Sequence, residues 1–253
     1  MTAPAATAPA LSYREARIDL AAAFRVAERL GLNEGIDNHF SYAVDDQGDR
    51  FLVNPIGLHW RELRASDLIL ADAGRRILEG SRPVEDTAFF IHSRLHQQHP
   101  AARAVLHTHM PYATALTVIE HGRLEMISQN AVQFAGRIAY LDDYEGLALD
   151  ESEGDRMAAA MGEKSVLFLG HHGVIVTAPT IHAAWNDLYF LERAAMVQVL
   201  AMSTGRPLRR IPDGVVDRTV ATMNANPDAV DQPRKHLEAL KRLLDREAPE
   251  YRL

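Results

Sequence analysis

The chain has 253 residues, a formal net charge of −7, a hydrophobic fraction of 47% and a charged fraction of 24%. This composition is typical of a soluble globular protein, and the negative charge argues against a broad basic surface for nucleic acid. No apolar stretch approaches the ~20 residues of a membrane-spanning helix, so we expect no membrane partner and a cytoplasmic location. The absence of cysteine excludes disulfides, thiolate nucleophiles and cysteine-ligated zinc.

The length and the composition along the chain predict one catalytic domain with two appendages. Residues 1–11 are rich in alanine and proline and lack a basic start and an apolar core, which is typical of a disordered leader rather than a signal peptide. The catalytic domain is predicted over 12–206. Residues 207–253 turn polar and then carry leucines at helical spacing, so we expect a C-terminal helical extension. It can pack on its own domain or on a neighbouring subunit.

Two helices are predicted in the first hundred residues. Ser12 and Glu15 form a capping-box pattern, and apolar residues at helical spacing follow them. A second helix is predicted to begin at Glu85 or Asp86 and to end near Gln98. Three later helices are predicted after Pro111, over 153–161, and from Pro179-Thr180 through Met202.

Apolar runs bounded by turn residues predict the strands. In chain order they lie at 40–44, 51–53, 66–70, 104–109, 137–141, 165–170 and 174–176. Strands and helices alternate without a strict βα period, and no glycine-rich nucleotide-binding signature occurs. We therefore expect a three-layer α/β/α sandwich with a mixed, largely antiparallel central sheet.

Two histidine-containing segments predict a metal site. His107 and His109 are two residues apart in a strand, so their side chains share one face about 6.6 Å apart. By itself this pair is equally consistent with one buried histidine and one surface histidine. His171 and His172 end a second apolar strand, and this second cluster favours a metal. Three imidazoles with one or two open positions are typical of a catalytic divalent cation.

Four short motifs, in this order, resemble the class II aldolase/adducin family over roughly residues 12–204. They are Asn38-His39-Phe40-Ser41, Asn54-Pro55-Ile56-Gly57-Leu58, His107-Thr108-His109 and His172-Gly173. The resemblance implies an α/β homotetramer with its active site at a subunit interface. It also implies one divalent ion, Zn, Mn or Fe, bound by His107, His109 and His172. His171 is then a neighbour of the ligands.

In the sugar-phosphate aldolases of this family, three patterns hold the substrate phosphate. By the resemblance, the first pattern corresponds to Asn38, His39 and Ser41, and the second to Gly57. The third corresponds approximately to Asp86-Thr87. The candidate substrate-binding residues are therefore Asn38, His39, Ser41, Gly57 and Thr87. An aspartate that faced a phosphate would repel it, which argues against phosphate recognition.

The acid/base residues of those aldolases have no direct match. Their catalytic glutamate corresponds to Ala88, four residues before His92, and no tyrosine occurs at the place of their proton donor, near 127–128. Acid/base catalysis contributes about 10²–10⁴-fold, so its loss indicates another reaction or displaced substitutes. Glu85, Asp86 and His92 are the candidate catalytic residues. The two carboxylates are equally typical of a helix start, and His92 of a packing histidine.

These features favour a divalent-metal-dependent carbon–carbon lyase with a small anionic substrate. Some adducin-like members of the family are similar in lacking the aldolase acid, and they decarboxylate hydroxylated aromatic or pyridine carboxylates. Our preferred prediction is a decarboxylase of a hydroxylated aromatic or heteroaromatic carboxylate. The alternatives are an aldolase for a non-phosphorylated aldol, a non-haem iron oxygenase, and a non-catalytic adducin-like interaction module. The intact histidine set weighs against the interaction module.

Overall fold

The structure, a computed structural model, describes residues 13–99, 102–146 and 150–253. In chain order its helices and strands are α1 (Arg14–Arg29), β1 (His39–Ala43), β2 (Arg50–Val53), β3 (Ile69–Asp72), β4 (Ile77–Glu79), α2 (Asp86–Gln98), β5 (Ala104–Thr108), α3 (Pro111–Thr117), α4 (Gln129–Val132), β6 (Ile138–Leu141), α5 (Glu151–Met161), β7 (Val166–Leu169), β8 (Gly173–Ala178), α6 (Ile181–Met202), α7 (Asp213–Ala225) and α8 (Gln232–Glu247). Short 3₁₀ helices lie at Ala65–Asp67, Pro227–Val230 and Pro249–Arg252. The predicted leader at 1–11 lies outside the described residues.

The described strands form an eight-stranded sheet in the order β4-β3-β2-β1-β5-β8-β7-β6. Neighbouring strands are antiparallel, except for the parallel pair β6 and β7. Helices α1, α3, α4, α6 and α8 pack on one face, and α2 and α5 pack on the other. The predicted three-layer sandwich with a mixed, largely antiparallel sheet is therefore confirmed.

The alternation of side chains in the central strands decides which layer receives the histidines. In β5, Leu106 packs into the α1 layer, whereas Val105 packs into the α2 layer. His107 follows Val105 at a spacing of two and so shares its face. Strand β1 pairs with β5 so that His39 lies opposite His107, and Ser41 shares the face of His39. The polar side chains of both strands therefore face α2.

The C-terminal residues pack against the domain that precedes them. Leu237 and Leu244 of α8, together with Tyr251, are buried in the apolar cluster that contains α1 and α6. Lys241 Nζ donates hydrogen bonds to Asp19 Oδ1 at 2.6 Å and to Glu238 Oε1 at 2.7 Å. The C-terminal extension was expected to pack either on its own domain or on a neighbouring subunit, and α8 packs on its own domain.

Several local features differ from the sequence predictions, which also did not include β4 and α4. Tyr13 precedes α1 with φ 57° and no side-chain cap bond. The predicted capping box begins at Ser12, which lies outside the described residues. The strand predicted at 66–70 begins later, because 65–67 form a 3₁₀ turn. Helix α7 was missed, because only Val216 of its residues is buried and its apolar pattern is weak. No helix in the described ranges is long and apolar enough to cross a lipid bilayer.

Candidate metal centre

Three imidazoles converge at the end of β5. His107 lies in β5, His109 follows that strand, and His172 lies in the turn between β7 and β8. One ring nitrogen of each lies within 4.8 Å of the other two, and the ring centroids are 4.7, 4.8 and 5.1 Å apart. Nitrogens about 2.1 Å from a common ion lie roughly 3.4 Å apart, so small side-chain rotations suffice to complete the ligand set.

The chemistry of this triad fits a divalent cation. Burial, and then the neighbouring histidines, lower the pKa of His107 well below its ordinary value and that of His172 to about 4. Both imidazoles are therefore neutral near pH 7, which is the form that binds metal. Among the described residues, His109 Nε2 is buried without a hydrogen-bond partner. A metal ion would satisfy this orphaned nitrogen.

Backbone hydrogen bonds orient two of the three ligands. His107 Nδ1–H donates to Val174 O at 3.0 Å, which leaves Nε2 of this neutral ring unprotonated. The side-chain oxygen of Asn38 accepts from the backbone N–H of His109 at 3.3 Å and from that of Glu34 at 3.0 Å. Asn38 has a φ of 72°, a left-handed conformation in which asparagine is enriched. Asn38 therefore holds the ligand loop in place.

Glycine is required where β8 begins beside the triad. A Cβ on Gly173 would lie 2.5 Å from Thr108 O and 2.9 Å from His109 Cδ2. The tight turn before it, in which His171 has a φ of 56°, brings His172 back beside the end of β5. The absence of a side chain at Gly173 thus allows two ligand segments to approach each other.

A chain of hydrogen bonds runs from the cavity side of β1 into the α2 layer. His39 Nδ1 lies 2.7 Å from His92 Nε2. Ser41 Oγ is hydrogen-bonded to His92 Nδ1 and lies 2.7 Å from His96 Nε2. His96 Nδ1 lies 3.0 Å from Ala102 O. All four side chains are buried, and burial lowers the pKa of each histidine, to about 4 for His96, so the chain is neutral near pH 7.

The triad borders a cavity of about 390 Å³. The cavity lining comes from the loop before β1, the start of α2 and the two histidine segments, and comprises Asp37, Asn38, His39, Glu85, Thr87, Ile91, His107, His109, Tyr144, Gly146, His171 and His172. Burial lowers the pKa of His109, while the carboxylates of Glu34, Asp37 and Glu85 oppose this shift. None of the described lining residues is a lysine or an arginine, so the cavity wall is acidic.

Some of the predicted site residues come together at this cavity. Asn38, His39, Glu85 and Thr87 line it with the triad, and the Thr87 hydroxyl donates to Glu85 Oε1 at 2.9 Å. His171 also lines the cavity but lies outside the group of close nitrogens.

Four predicted residues lie elsewhere. Asp86 is exposed at the start of α2, forms an ion pair with Arg75 and is not a lining residue of the cavity. Gly57, with φ 82°, is in the loop after β2 and is not a lining residue. Ser41 and His92 belong to the buried chain behind the cavity wall.

Three residues of the site were missed by the sequence predictions. His96 lies four residues after His92, so helical spacing could have indicated that both share one face of α2. Asp37 and Tyr144 lie in loops, and no spacing pattern connects them with the histidines. The Tyr144 ring lies 6.5 Å from that of His172, measured between centroids.

A second group of metal-binding residue types lies between α1, α6 and α8. It consists of Asp19, His182 and Glu238. The Lys241 ammonium donates to both carboxylates, so a cation already occupies this position. We interpret this group as an ion-pair cluster that fastens α8 to the domain.

Comparisons with known proteins agree with this geometry. The sequence pattern of the family described as "Class II Aldolase and Adducin N-terminal domain" matches residues 18–199. A putative aldolase class 2 protein of Pseudomonas aeruginosa is 32% identical over 243 residues, covering 94% of this chain and 92% of that protein. Decarboxylase NovR of Streptomyces niveus is 30% identical over 189 residues, covering 74% of this chain and 70% of NovR. The crystal structure of an aldolase II superfamily protein from Pseudomonas syringae matches with a TM-score of 0.87 and 33% identity, covering 98% of both chains. The chain therefore belongs to the class II aldolase and adducin family.

Proposed function

We propose that this protein is a divalent-metal-dependent carbon–carbon lyase that decarboxylates a small hydroxylated aromatic or heteroaromatic acid. The proposal is carried by a three-histidine centre in a cavity whose described lining contains two carboxylates and no lysine or arginine. Similarity to a protein named as a decarboxylase supports it. Zn, Mn and Fe are the candidate ions, because neutral imidazoles bind all three.

The acidic cavity wall disfavours a sugar phosphate. Two unit charges about 6 Å apart repel by roughly 3 kcal/mol at an effective dielectric constant of 20. A phosphate dianion near Asp37 and Glu85 would meet this repulsion more than once, with no cationic side chain in the described lining. A single carboxylate carries one negative charge instead of two, so it would meet roughly half of this repulsion. The cavity therefore favours a substrate with one metal-binding carboxylate and an otherwise neutral body.

The cavity residues have distinct roles in the proposed reaction. His107, His109 and His172 hold the ion, which when bound polarises a substrate oxygen and stabilises negative charge. The amide Nδ2 of Asn38, which is buried and has no hydrogen-bond partner in the described part of the chain, donates to a substrate oxygen. The bond from the ring carbon to the carboxylate breaks, its electron pair stays on the ring carbon, and CO₂ leaves. Tyr144, which lines the cavity, then delivers its hydroxyl proton to that carbon, and the resulting tyrosinate regains a proton from water.

A second candidate is an aldolase for a non-phosphorylated aldol. Tyr144 is compatible with it, because aldol cleavage, like decarboxylation, needs a proton donor for the carbanion. Ala88 disfavours it, because this buried position carries no carboxylate. The relative named as a putative class 2 aldolase is consistent with either reaction.

We also propose that the protein is a homotetramer with the cavity at a subunit interface. Tyr144 lines the cavity and is 51% exposed, so this wall is accessible to a neighbouring subunit. Light scattering tests the assembly, and a fully active monomer would contradict it.

A product screen tests the function. Protein loaded with Zn, Mn or Fe(II) is expected to release CO₂ from hydroxylated aromatic acids, and His107→Ala is expected to abolish this release. His121→Asn is the matched control, because His121 is an exposed histidine outside the cavity. Aldehyde release from aldols without CO₂ release would favour the aldolase. If neither CO₂ nor an aldehyde is released, the lyase proposal is contradicted.

A further inference from the structure

The buried hydrogen-bond chain behind the cavity ends at an atom that can only accept. Ala102 O has no proton to donate, so His96 Nδ1 must donate to it. In a neutral imidazole the other nitrogen is then unprotonated. His96 Nε2 therefore accepts a hydrogen bond from the hydroxyl of Ser41, 2.7 Å away.

The direction of donation continues from Ser41 toward the cavity. Ser41 has one hydroxyl hydrogen, which it uses to donate a hydrogen bond to His96, so its oxygen accepts a hydrogen bond from His92 Nδ1–H. His92 Nε2 is then unprotonated and accepts from His39 Nδ1–H at 2.7 Å. This leaves His39 with an unprotonated Nε2.

We propose that His96 is a positioning residue that, through Ser41 and His92, fixes the tautomer of His39 so that His39 Nε2 is a hydrogen-bond acceptor at the metal cavity. This inference rests on the proposed function, because it takes the cavity as the substrate site. His39 lines the cavity, and its Nε2 has no hydrogen bond within the described part of the chain. It is also outside the close group of triad nitrogens. His39 Nε2 is therefore free to meet a substrate.

The opposite direction of donation is excluded by the same contacts. If Ser41 donated to His92 while His96 stayed neutral, two lone pairs would face each other at 2.7 Å between Ser41 Oγ and His96 Nε2. A reversed chain without that clash needs a positively charged His96, which donates from both nitrogens. His96 is 2% exposed, and burial lowers its pKa to about 4. The charged form is therefore absent near pH 7.

This acceptor restricts the chemical class of the substrate. The carboxylates of Asp37 and Glu85 in the cavity wall also only accept, so His39 adds a third acceptor near the triad. A matching substrate carries a hydroxyl donor beside its metal-binding carboxylate. Methylation of that hydroxyl would leave the acceptor unpaired, and we expect binding to weaken about tenfold.

Nitrogen NMR of histidine-labelled, zinc-loaded protein measures the tautomer directly. We expect the His39 signals, assigned by their loss in His39→Gln, to show a protonated Nδ1 and an unprotonated Nε2. In Ser41→Ala and in His96→Gln the two signals should move toward each other, because the ring then samples both tautomers. A protonated His39 Nε2 in the parent protein would overturn the proposal without any variant, as would an unchanged His39 pattern in both variants.

Two matched substitutions, one in α2 and one at the residue that follows it, control for loss of packing. Ser93→Ala removes another buried serine hydroxyl, and His99→Gln removes another histidine bonded to a carbonyl, here Ala158 O at 3.1 Å. Both variants should show the same two His39 nitrogen signals as the parent protein. If they changed these signals as much as Ser41→Ala does, the effect would be general packing and the positioning role would be refuted.

Calorimetry with two probes tests the substrate class. Zinc-loaded parent protein should bind salicylate about tenfold more tightly than 2-methoxybenzoate, and His96→Gln should lose this preference while His99→Gln retains it. Equal affinities in the parent, or no binding of either probe, would overturn the hydroxyl-donor class. If the tautomer and the preference persist in a protein that releases no CO₂, only the proposed decarboxylation fails.

Discussion

Replacing Gly173 by alanine tests whether the triad depends on the close approach of β8 to β5. The added Cβ would lie 2.5 Å from Thr108 O and 2.9 Å from His109 Cδ2. Since the carbonyl belongs to a buried central strand, we expect the His109 ring to move. Overpacking of this kind costs about 1–3 kcal/mol. If the displaced ring weakens metal binding a hundredfold, the stabilisation by saturating metal falls by a further ~2.7 kcal/mol.

Thermal unfolding of the metal-free and zinc-loaded protein separates these two effects. One kcal/mol corresponds to roughly 2–4 °C for a chain of this size, so the metal-free variant should unfold about 2–12 °C below the parent. The zinc-induced rise in Tm should shrink by roughly 5–11 °C. Gly214→Ala is the control, because its Cβ would meet no atom closer than 3.6 Å and alanine favours helix. An undiminished zinc-induced rise in Gly173→Ala would refute the reasoning.

Three further predictions concern stability and reaction type. Lys241→Met removes the buried ammonium between Asp19 and Glu238, so we expect the free energy of unfolding, measured in urea, to fall by roughly 2–3 kcal/mol. Lys235→Met is the control, because Lys235 belongs to an exposed ion pair, and it should leave that free energy unchanged. Equal effects of the two substitutions would contradict the ion-pair cluster. Burial lowers the pKa of the cavity and α2 histidines in the folded state, so the unfolded state protonates first. The free energy of unfolding of the metal-free protein should therefore be highest above about pH 6.5 and fall toward pH 4, by up to roughly 1.4 kcal/mol per pH unit for each histidine. Urea unfolding that gives the same free energy at every pH from 6.5 to 5 would argue against this. Ala88→Glu adds a carboxylate to a buried position of α2 and should impair decarboxylation in the CO₂ assay; gained aldol cleavage would instead favour the aldolase.

The sheet and its layers were predictable because buried positions are occupied by apolar residues at a regular spacing in the sequence. Strand β5, covered on both faces, has a continuous apolar run up to His107, and α2 has apolar residues at helical spacing. Helix α7 lacked such a spacing because almost none of it is buried. Helices and strands could therefore be predicted where their packing against the core requires apolar residues at regular spacing.

Residue spacing alone predicted the site only where one local segment carries the chemistry, whereas His172, Asn38 and His39 were named from the order of the family motifs. The pair His107 and His109 was visible because strand geometry alone places both rings on one face. The contact of His39 with His92 joins residues 53 positions apart, and its position depends on the packing of α2 against β1. Tyr144 and its approach to His172 depend on a loop. Contacts of this kind come from tertiary packing and have no local sequence signal.

The central claim, that His107, His109 and His172 bind one catalytic metal ion, is tested most directly by metal content. Mass spectrometry of protein equilibrated with Zn, Mn or Fe(II) and then dialysed should find one ion per chain in the parent. His172→Ala should lose that ion, and His171→Ala, its neighbour in the same turn, should retain it. A parent protein that retains none of the three ions, or a His172→Ala variant that keeps its ion while His171→Ala loses it, would contradict the assignment.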